Sequence, residues 1–537
     1  MRLLSRLLVV LVVCLVAMTL SAVPTQANGT EITLFPISGV PGDTVRVSGY
    51  NFTDDGWVDI YYCLDAGCMN ASRIWVGDDE IDDGSIRITF ILPESYTGLH
   101  QVRAYLNTSL KATRDFTVRP GLTVSPAEGP VGTNVTVEGH GFAKNETNIE
   151  LMHYLDGNYT TIAQNIRADD YGSWNWTFLI PPSAKGSHKI DAKGNNSSLT
   201  AVKDAFFEVK PGIKIIDRVS GSTIDEPSGS PGQNITMTGS GFAANERDIK
   251  ILFAGQEVST DPLDVRADDS GHWSAACQVP EMSKGTYNVT AQGEYTKKQD
   301  ISALSFEIKP GLVLSPAEGH VDTDLTVTGH GFATNKDVVI KYDGSEKDRT
   351  TTDNKGSFSG VTFPVPEGIH GAHQVTAEGA AGNATAIFTM ESDPPADTPE
   401  LISPLDGSRV GFIGKIRPIF EWSEVSDDSG VYYSLQIAAS DNVTTTGEFA
   451  DPILLKERLV GTNYTLNATE ALPYGTYYWI VQTVDRAENA GNWTAARSFH
   501  AGFLPLWGFI VAIVAIVVLI GALVYFFIIR RRTHYYY

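Results

Sequence analysis

The sequence repeats itself, because four segments open with the same pattern of glycines, alternating β-branched residues and a final phenylalanine. They read LFPISGVPGDTVRVSGYNF from Leu34, VSPAEGPVGTNVTVEGHGF from Val124, SGSPGQNITMTGSGF from Ser228 and LSPAEGHVDTDLTVTGHGF from Leu314. The units also close alike, with FTVRPG, FEVKPG, FEIKPG and FTM at Phe116, Phe207, Phe306 and Phe388. Successive closing prolines, Pro120, Pro211 and Pro310, are 91 and 99 residues apart. This period predicts one β-sandwich domain per repeat and excludes a solenoid of shorter units.

Within a repeat, apolar and polar residues alternate as in a strand that buries one face. Val135 and Val137 alternate with Thr136 and Glu138. The Gly-x-Gly-Phe that follows predicts a sharp turn and an aromatic core anchor at Phe52, Phe142, Phe242 and Phe332. A phosphate-binding loop would need a third glycine and a helix that begins there. The residues after Phe142, Ala-Lys-Asn-Glu-Thr-Asn, contain no glycine and predict no helix. The predicted fold class is all-β, with tandem immunoglobulin-like sandwiches.

Two further elements recur in each repeat. Acidic residues before a glycine and a large apolar residue occur at Asp169, Asp268, Asp353 and, less regularly, Asp82. They predict a turn that leads into a strand, with calcium binding as the alternative. The pattern Gly-x-His/Tyr occurs around His100, His188, Tyr287 and His373. Because one of these four positions is Tyr, it predicts a structural corner like the tyrosine corner of immunoglobulin domains, not acid–base chemistry.

These motifs resemble a known family. SPAEGPVGTNVTVEGHGF, a later VPEMSKGTYNVTA and a closing FEV are similar to the IPT/TIG immunoglobulin-like domain, over four copies in residues 31–390. The second and fourth units match best. The first has Asn51 in place of the second glycine, and the third carries additional residues, 221–226. The resemblance implies the fold and leaves function open, because the family occurs in surface receptors, secreted enzymes and transcription factors.

A different domain follows the four repeats. The segment ESDPPADTPE is proline-rich and acidic and predicts a stiff linker. Beyond it, Phe420-Glu421-Trp422 and LPYGTYYWIVQTVDRAENAGNWT resemble a fibronectin type III or related bacterial immunoglobulin-like domain. This resemblance implies a core Trp422 and a tyrosine corner at Tyr477, and residues 485–492 predict a hairpin turn, with calcium binding as the alternative. The predicted boundaries are 31–118, 119–210, 211–309 and 310–390 for the four repeats, 391–400 for the linker and 401–501 for the fifth domain.

The two ends of the chain predict export and anchoring. Residues 1–27 carry Arg2 and Arg6, an apolar run and small residues before Ala27, which is typical of a signal peptide. A lipoprotein signal is not favoured, because Cys14 lies inside the apolar run. A transmembrane helix is predicted to begin at Leu506 and end at Ile529, since this stretch has no charge and is about 36 Å long as a helix.

The residues on either side of this helix predict its orientation. The arginines of the tail, residues 530–537, place that end in the cytoplasm and the bulk of the chain outside. LPLWG before the helix resembles a sortase signal, but Trp507 stands where the reactive threonine would be. A retained membrane anchor is therefore favoured over covalent attachment to a cell wall.

Cysteine and asparagine residues also indicate an exported protein. Cys63 and Cys68 are close enough in sequence for a hairpin disulfide, whereas Cys277 has the strand parity of a core thiol. The sequence has 17 Asn-x-Ser/Thr sites. They predict glycosylation, with the β-rich composition as a partial alternative explanation. The candidates are Asn51, Asn134, Asn175, Asn234, Asn288, Asn463 and Asn492.

No function in catalysis or nucleic-acid binding is indicated. The net charge is -23 without a basic stripe, which argues against nucleic acid. No catalytic motif occurs, and no catalytic, cofactor-binding or metal-ligating residue is predicted.

The favoured hypothesis is an adhesin of a prokaryotic envelope that binds an extracellular protein or glycan. Its contact module would be the first unit, with Trp57, Tyr61, Tyr62 and Trp75, although these aromatic residues would also suit a core. A surface-layer stalk and an accessory scaffold for a membrane enzyme are the alternatives.

Overall fold

Alternation of apolar residues produces the strands that the sequence predicts. In the strand Thr44–Tyr50, Val45, Val47 and Gly49 are buried while the residues between them are more exposed. The computed structural model describes residues 29–155, 157–380 and 382–532. The predicted signal peptide and residues 533–537 of the tail lie outside the described residues.

The first sandwich packs a three-stranded sheet against a five-stranded one. Its strands are β1 (Glu31–Phe35), β2 (Ser38–Gly39), β3 (Thr44–Tyr50), β4 (Trp57–Cys63), β5 (Arg73–Glu80), β6 (Ile86–Ile91), β7 (Gly98–Leu106) and β8 (Ser109–Val118). The sheet orders are β1-β3-β6 and β2-β8-β7-β4-β5. The short β2 pairs parallel with the last strand and all other pairs are antiparallel.

The second sandwich has the same topology. Its strands are β9 (Gly121–Ser125), β10 (Glu128–Gly129), β11 (Asn134–His140), β12 (Ile149–Leu155), β13 (Asn158–Ile166), β14 (Trp174–Leu179), β15 (Gly186–Lys193) and β16 (Ala205–Val209). The sheet orders are β14-β11-β9 and β10-β16-β15-β12-β13. Its core centres on aromatic and β-branched residues from both sheets, including Phe142, Trp174 and Phe207.

The third repeat contributes to two compact units of the chain. The first unit comprises Met1–Asp225, Asn234–Gln278 and Asn288–Ser305, and the second comprises Glu226–Gln233, Val279–Tyr287 and Phe306–Tyr537. The strands of this repeat are β17 (Gly212–Ile216), β18 (Ser228–Gly229), β19 (Asn234–Ser240), β20 (Lys250–Phe253), β21 (Gln256–Val258), β22 (Thr260–Asp261), β23 (Trp273–Gln278), β24 (Gly285–Gln292) and β25 (Leu304–Ile308). The first unit holds the sheet β17-β19-β23-β22, and the second holds the parallel pair of β18 with β25.

The fourth sandwich again has three strands facing five. Its strands are β26 (Gly311–Ser315), β27 (Glu318–Gly319), β28 (Asp324–His330), β29 (Asp337–Tyr342), β30 (Ser345–Thr351), β31 (Phe358–Pro364), β32 (Gly371–Gly379) and β33 (Gly382–Met390). The sheet orders are β26-β28-β31 and β27-β33-β32-β29-β30.

The fifth sandwich follows residues 391–400, which form neither helix nor strand. Its strands are β34 (Leu401–Ser403), β35 (Ser408–Val410), β36 (Ile419–Trp422), β37 (Val431–Ala438), β38 (Pro452–Leu459), β39 (Asn463–Thr465), β40 (Gly475–Asp485), β41 (Ala490–Trp493) and β42 (Arg497–Ala501). Its sheets are β34-β36-β39 and β35-β42-β40-β37-β38, with β41 paired to β40. Trp422 is buried in the core, as predicted.

A single long helix, α1, follows the fifth sandwich and spans Leu506–Arg532. Of this helix, Leu506–Ile528 is long and apolar enough to cross a membrane, and no described side chain in it is buried. The predicted transmembrane segment is confirmed as such a helix, which extends three residues further than expected. The fold is therefore all-β, with five immunoglobulin-like sandwiches and one C-terminal apolar helix.

Candidate functional sites

The Gly-x-Gly-Phe motif forms the first three joints between consecutive sandwiches. In the second repeat, the Phe142 ring packs edge-on against Trp174, with centroids 5.5 Å apart. Its backbone N–H donates to the carbonyl of Gly172 in the acidic turn, at 3.0 Å. Its own carbonyl accepts the N–H of Thr97, from the loop of the preceding sandwich, at 2.9 Å. One residue therefore connects a core, a turn and the neighbouring domain.

The second glycine of the motif is required by the chain that enters the domain. Gly141 has φ of +67°, and a Cβ on it would lie 2.5 Å from the carbonyl oxygen of Arg119. Gly241 and Gly331 each meet the equivalent carbonyl at 2.6 Å. A side chain would both strain the backbone and collide with the interdomain segment. The residues after Phe142 form turns and then a strand, so the structure offers no helix for a phosphate loop.

The same backbone bond recurs at later joints. Lys185 N–H donates to the Phe242 carbonyl at 2.9 Å, and Lys284 N–H donates to the Phe332 carbonyl at 3.0 Å. The fourth joint substitutes His370 N–H and the Ala487 carbonyl, at 2.8 Å. Each sandwich is thus hydrogen-bonded to the next through a loop carbonyl.

A charged cluster strengthens two of these joints. At the first joint, His140 donates from Nδ1 to Glu94 at 2.8 Å, and the Ser173 hydroxyl donates to the same carboxylate at 2.6 Å. The third joint repeats this arrangement with His330, Glu281 and Ser357. The hydrogen bond to Glu94 raises the pKa of His140, and the same bond lowers the pKa of Glu94.

The fourth joint uses arginine instead of histidine. Glu367 accepts hydrogen bonds from Arg458 at 2.8 Å and from the Tyr432 hydroxyl at 2.9 Å. Arg486 pairs with Asp322 and donates to the Ser429 carbonyl at 2.7 Å. Ala487 beside it is buried in the core cluster of the fourth sandwich. The fifth sandwich is therefore held by both charge and apolar contact.

The acidic motifs are turns, as predicted. The Asp169 carboxylate accepts the backbone N–H groups of Tyr171 and Ser173 at 2.8 and 2.9 Å. Asp353 accepts two N–H groups in the same way, and those of Ser357 and Lys355 lower the pKa of Asp353. Their carboxylates therefore cap their own loops.

A cluster of three carboxylate side chains, separate from the acidic turns, lies at the fifth sandwich. Within the described residues, carboxylate oxygens of Glu391, Asp427 and Asp485 lie within 4.8 Å of one another. Asp485 already accepts both the backbone and the side-chain N–H of Asn489, at 2.7 and 2.8 Å. These bonds close the hairpin between β40 and β41, so the predicted hairpin turn is confirmed.

The recurring His/Tyr position is confirmed as a structural corner. In every sandwich the ring donates to the backbone carbonyl four residues upstream, at 2.6–3.2 Å. The donors are His100, His188, Tyr287, His373 and Tyr477. This geometry is that of the tyrosine corner.

The cysteines and candidate asparagines occupy contrasting environments. Cys63 and Cys68 are joined by a disulfide with their Cα atoms 4.9 Å apart. Cys277 is buried, which raises the pKa of its thiol to about 11 and keeps it protonated. Each of the seven candidate asparagines is exposed: Asn51, Asn134, Asn175, Asn234, Asn288, Asn463 and Asn492. Asn51 adopts φ of +62° where the other repeats have glycine.

The aromatic residues of the first unit divide between core and surface. Tyr62 is fully buried, and its hydroxyl is 2.9 Å from that of Ser95. Trp57 and Trp75 are 57% and 53% exposed. Sequence alone left both possibilities open. In the structure Val58, Ile60 and Tyr62 alternate on the buried face of β4, and Trp57 and Tyr61 lie on the opposite, more exposed face.

Known proteins resemble parts of this chain. A family model described as the IPT/TIG domain matches residues 122–207 and 222–303, which are the second and third repeats. The fourth repeat, expected to match best along with the second, is not among the matched residues. Human Fibrocystin-L is 21% identical over 363 residues, covering 65% of this chain and 8% of that protein. The chain thus spans less than a tenth of that relative's length.

Solved structures with similar domains align only loosely. The chicken CNTN1 FN1-FN3 domains are 12% identical and cover 55% of this chain and 99% of their own, with a TM-score of 0.18. Activated Escherichia coli alpha-2-macroglobulin is 12% identical and covers 88% of this chain and 53% of its own, with a TM-score of 0.15. Scores this low support no argument about function. Fold and family match together define a protein of tandem immunoglobulin-like domains with a single apolar helix.

Proposed function

We propose that this chain is a single-pass surface protein that binds an extracellular ligand through its first sandwich and so mediates adhesion. The observation that carries the proposal is the exposure of Trp57 and Trp75 on that sandwich. Large exposed aromatic residues are enriched where proteins meet partners. The other recurring motifs of the chain are accounted for by cores, turns and joints. The proposal assigns no catalytic step to the chain.

The proposed location follows from the helix and its flanking charges. The helix that begins at Leu506 anchors the chain, and the arginines after Ile529 stay in the cytoplasm. The sandwiches then face outward, where Cys63 and Cys68 remain oxidised and the seven candidate asparagines can carry glycans. The proposal retains the predicted signal peptide, domain boundaries, fibronectin type III-like fifth domain and prokaryotic envelope.

A structural stalk is the second candidate function. Its support is the backbone bond repeated at the first three joints, which suits a chain whose domains act as spacers. A stalk would be abundant and would assemble laterally, whereas an adhesin acts through one domain.

Adhesion of intact cells separates these two functions. Cells that display the full chain should bind a target surface or other cells, and Fab fragments against the first sandwich should abolish that binding. Fab fragments against the fourth sandwich serve as the matched control. Equal inhibition by both, or ordered arrays on cells that adhere to nothing, would favour the stalk.

A further inference from the structure

One face of the first sandwich carries aromatic side chains that its own fold does not bury. The face, here called the aromatic face, is the outer side of β5, β4 and β7 and contains Trp57, Tyr61, Trp75 and Tyr105. The two tryptophans are more than half exposed, at 57% and 53%. Residues 57 and 61 are about 13 Å apart along β4, estimated from the rise of a strand. The face is therefore longer than one sugar ring.

Three rings of the aromatic face, those of Tyr61, Trp75 and Tyr105, are held by contacts within the sandwich. Tyr61 and Tyr105 meet edge to face with centroids 5.5 Å apart. The Arg73 guanidinium lies 4.6 Å from the Tyr61 centroid and 5.3 Å from that of Tyr105. The Trp75 indole N–H donates to Asp59 at 3.2 Å. A preorganised surface loses little side-chain entropy on binding.

The fold itself does not demand these aromatic residues. The strand registers show which positions of the first and fourth sandwiches are equivalent. The positions of Trp57, Tyr61, Trp75 and Tyr105 are occupied in the fourth sandwich by Asp337, Lys341, Glu346 and Glu378, respectively. The fourth sandwich keeps the same sheet order with charged residues at all four positions. The aromatic face is therefore an addition to the shared fold.

Polar groups lie beside the rings. Arg103, opposite Tyr61 in the sheet, donates two N–H groups to the Gln101 side chain at 3.2 and 2.8 Å. Gln101 in turn donates to Asp115 at 3.4 Å. Flat rings next to amide, guanidinium and carboxylate groups match a pyranose, which has an apolar C–H face and a rim of hydroxyls.

We propose that the aromatic face binds a neutral oligosaccharide, an inference that rests on the proposed adhesive function and names its ligand class. Acidic sugars are disfavoured, because Asp59 lies on the face, Asp115 lies beside it on β8 and the net charge of the chain is -23. The two arginines of the face already contact Tyr61 and Gln101. Hot spots for protein partners cluster in well-packed, desolvated pockets, whereas the aromatic face is the outer side of a sheet.

The test uses the full-length chain in lipid nanodiscs and an array of neutral oligosaccharides with gluco-, galacto- and manno-configured pyranoses. We expect binding to at least one class of oligosaccharide. Titrating that oligosaccharide into the unmodified protein should shift the NMR signal of the Trp75 indole N–H, a readout that requires no mutation. Trp57→Ala and Trp75→Ala should each lower affinity by about tenfold. Trp176→Ala removes a tryptophan that is 41% exposed on the second sandwich and should change nothing.

Three outcomes would overturn the inference. If cells displaying the chain adhere but no neutral oligosaccharide binds, the ligand is a protein or an acidic glycan and the adhesive function survives. If neither adhesion nor oligosaccharide binding occurs, both proposals fail. If oligosaccharides bind without shifting the Trp75 signal, and Trp176→Ala weakens binding as much as Trp75→Ala, the site lies elsewhere on the chain.

Discussion

Single residues at equivalent positions show how one fold accepts different chemistry. One such position lies on the strand next to the corner ring, opposite the residue that follows the ring by two. In the first to fourth repeats it is occupied by Tyr62, His153, Phe253 and Tyr342. Only in the second repeat is this position a histidine. His153 is 1% exposed, and neither ring nitrogen has a hydrogen-bond partner. Burial, with a smaller contribution from His188, lowers the pKa of His153 to about 4.

We expect His153 to make the second sandwich sensitive to acid. The unfolded chain binds a proton at this residue below about pH 6.5, whereas the folded chain does not until about pH 4. Titration of this group therefore costs the fold nothing above about pH 6.5, and it lowers the free energy of unfolding as pH falls toward 4. His153→Phe should remove this loss and raise the free energy of unfolding by about 1 kcal/mol at neutral pH. Hydrogen exchange of core amides in the second sandwich measures both effects.

The control for this prediction is His272→Phe, which changes an exposed histidine of the third repeat. It should leave the acid response of the second sandwich unaltered. An acid response that survives His153→Phe would show that another group is responsible.

At the scale of elements, the joints combine a constant backbone bond with variable side chains. Glu94 and His140 stand at the first joint, and Pro182 and Ser240 occupy the same motif positions at the second. The backbone bonds of Thr97 and Lys185 are nevertheless alike. The charged cluster is thus an addition that can change with pH while the joint itself remains.

We expect the first joint to loosen as pH rises. Glu94 raises the pKa of His140, so the stabilisation is complete below about pH 6.5 and is lost as pH rises through the raised pKa. At lower pH the pair is lost again as Glu94, whose pKa is lowered, takes up its proton. The protection factor of the Thr97 amide, measured by hydrogen exchange across this range, should follow this course.

Two comparisons check this prediction within one molecule. His140→Gln retains a donor without the charge and should flatten the pH dependence at Thr97. The Lys185 amide at the second joint, where serine replaces histidine, should show no such dependence. A flat profile at Thr97 in the unmodified chain would contradict the prediction.

At the scale of the whole molecule, the helix and the arginines that follow it predict the orientation of the chain across the membrane. In sealed membrane vesicles with the lumen equivalent to the exterior, added protease should leave the sandwiches intact and remove a C-terminal epitope tag. The reason is that arginines flanking a membrane helix favour the cytoplasmic side. Replacing Arg530, Arg531 and Arg532 with glutamate should yield a mixed orientation. Digestion of the sandwiches in the unmodified chain would reverse the proposed topology.

Sequence patterns determined the repeats, the fold class, the C-terminal apolar helix, the corner rings and the acidic turns. They could do so because each depends on local spacing: strand alternation, a turn of fixed length, or a continuous apolar run. A motif such as Gly-x-Gly-Phe was correctly assigned a core phenylalanine, since an isolated aromatic residue after a strand has few other places to go.

Only the tertiary structure decided why the glycines are required and which aromatic residues of the first sandwich are exposed. Gly141 is required because the carbonyl of Arg119 passes beside it, and Glu94 and His140 meet although 46 residues separate them. Trp57 and Tyr62 lie on opposite faces of β4 by strand alternation, and packing against the other sheet decides that the face with Tyr62 is the buried one. Trp75 lies opposite Tyr61, on the exposed side. Such contacts depend on which distant segments pack together, and one sequence does not encode that in any local pattern.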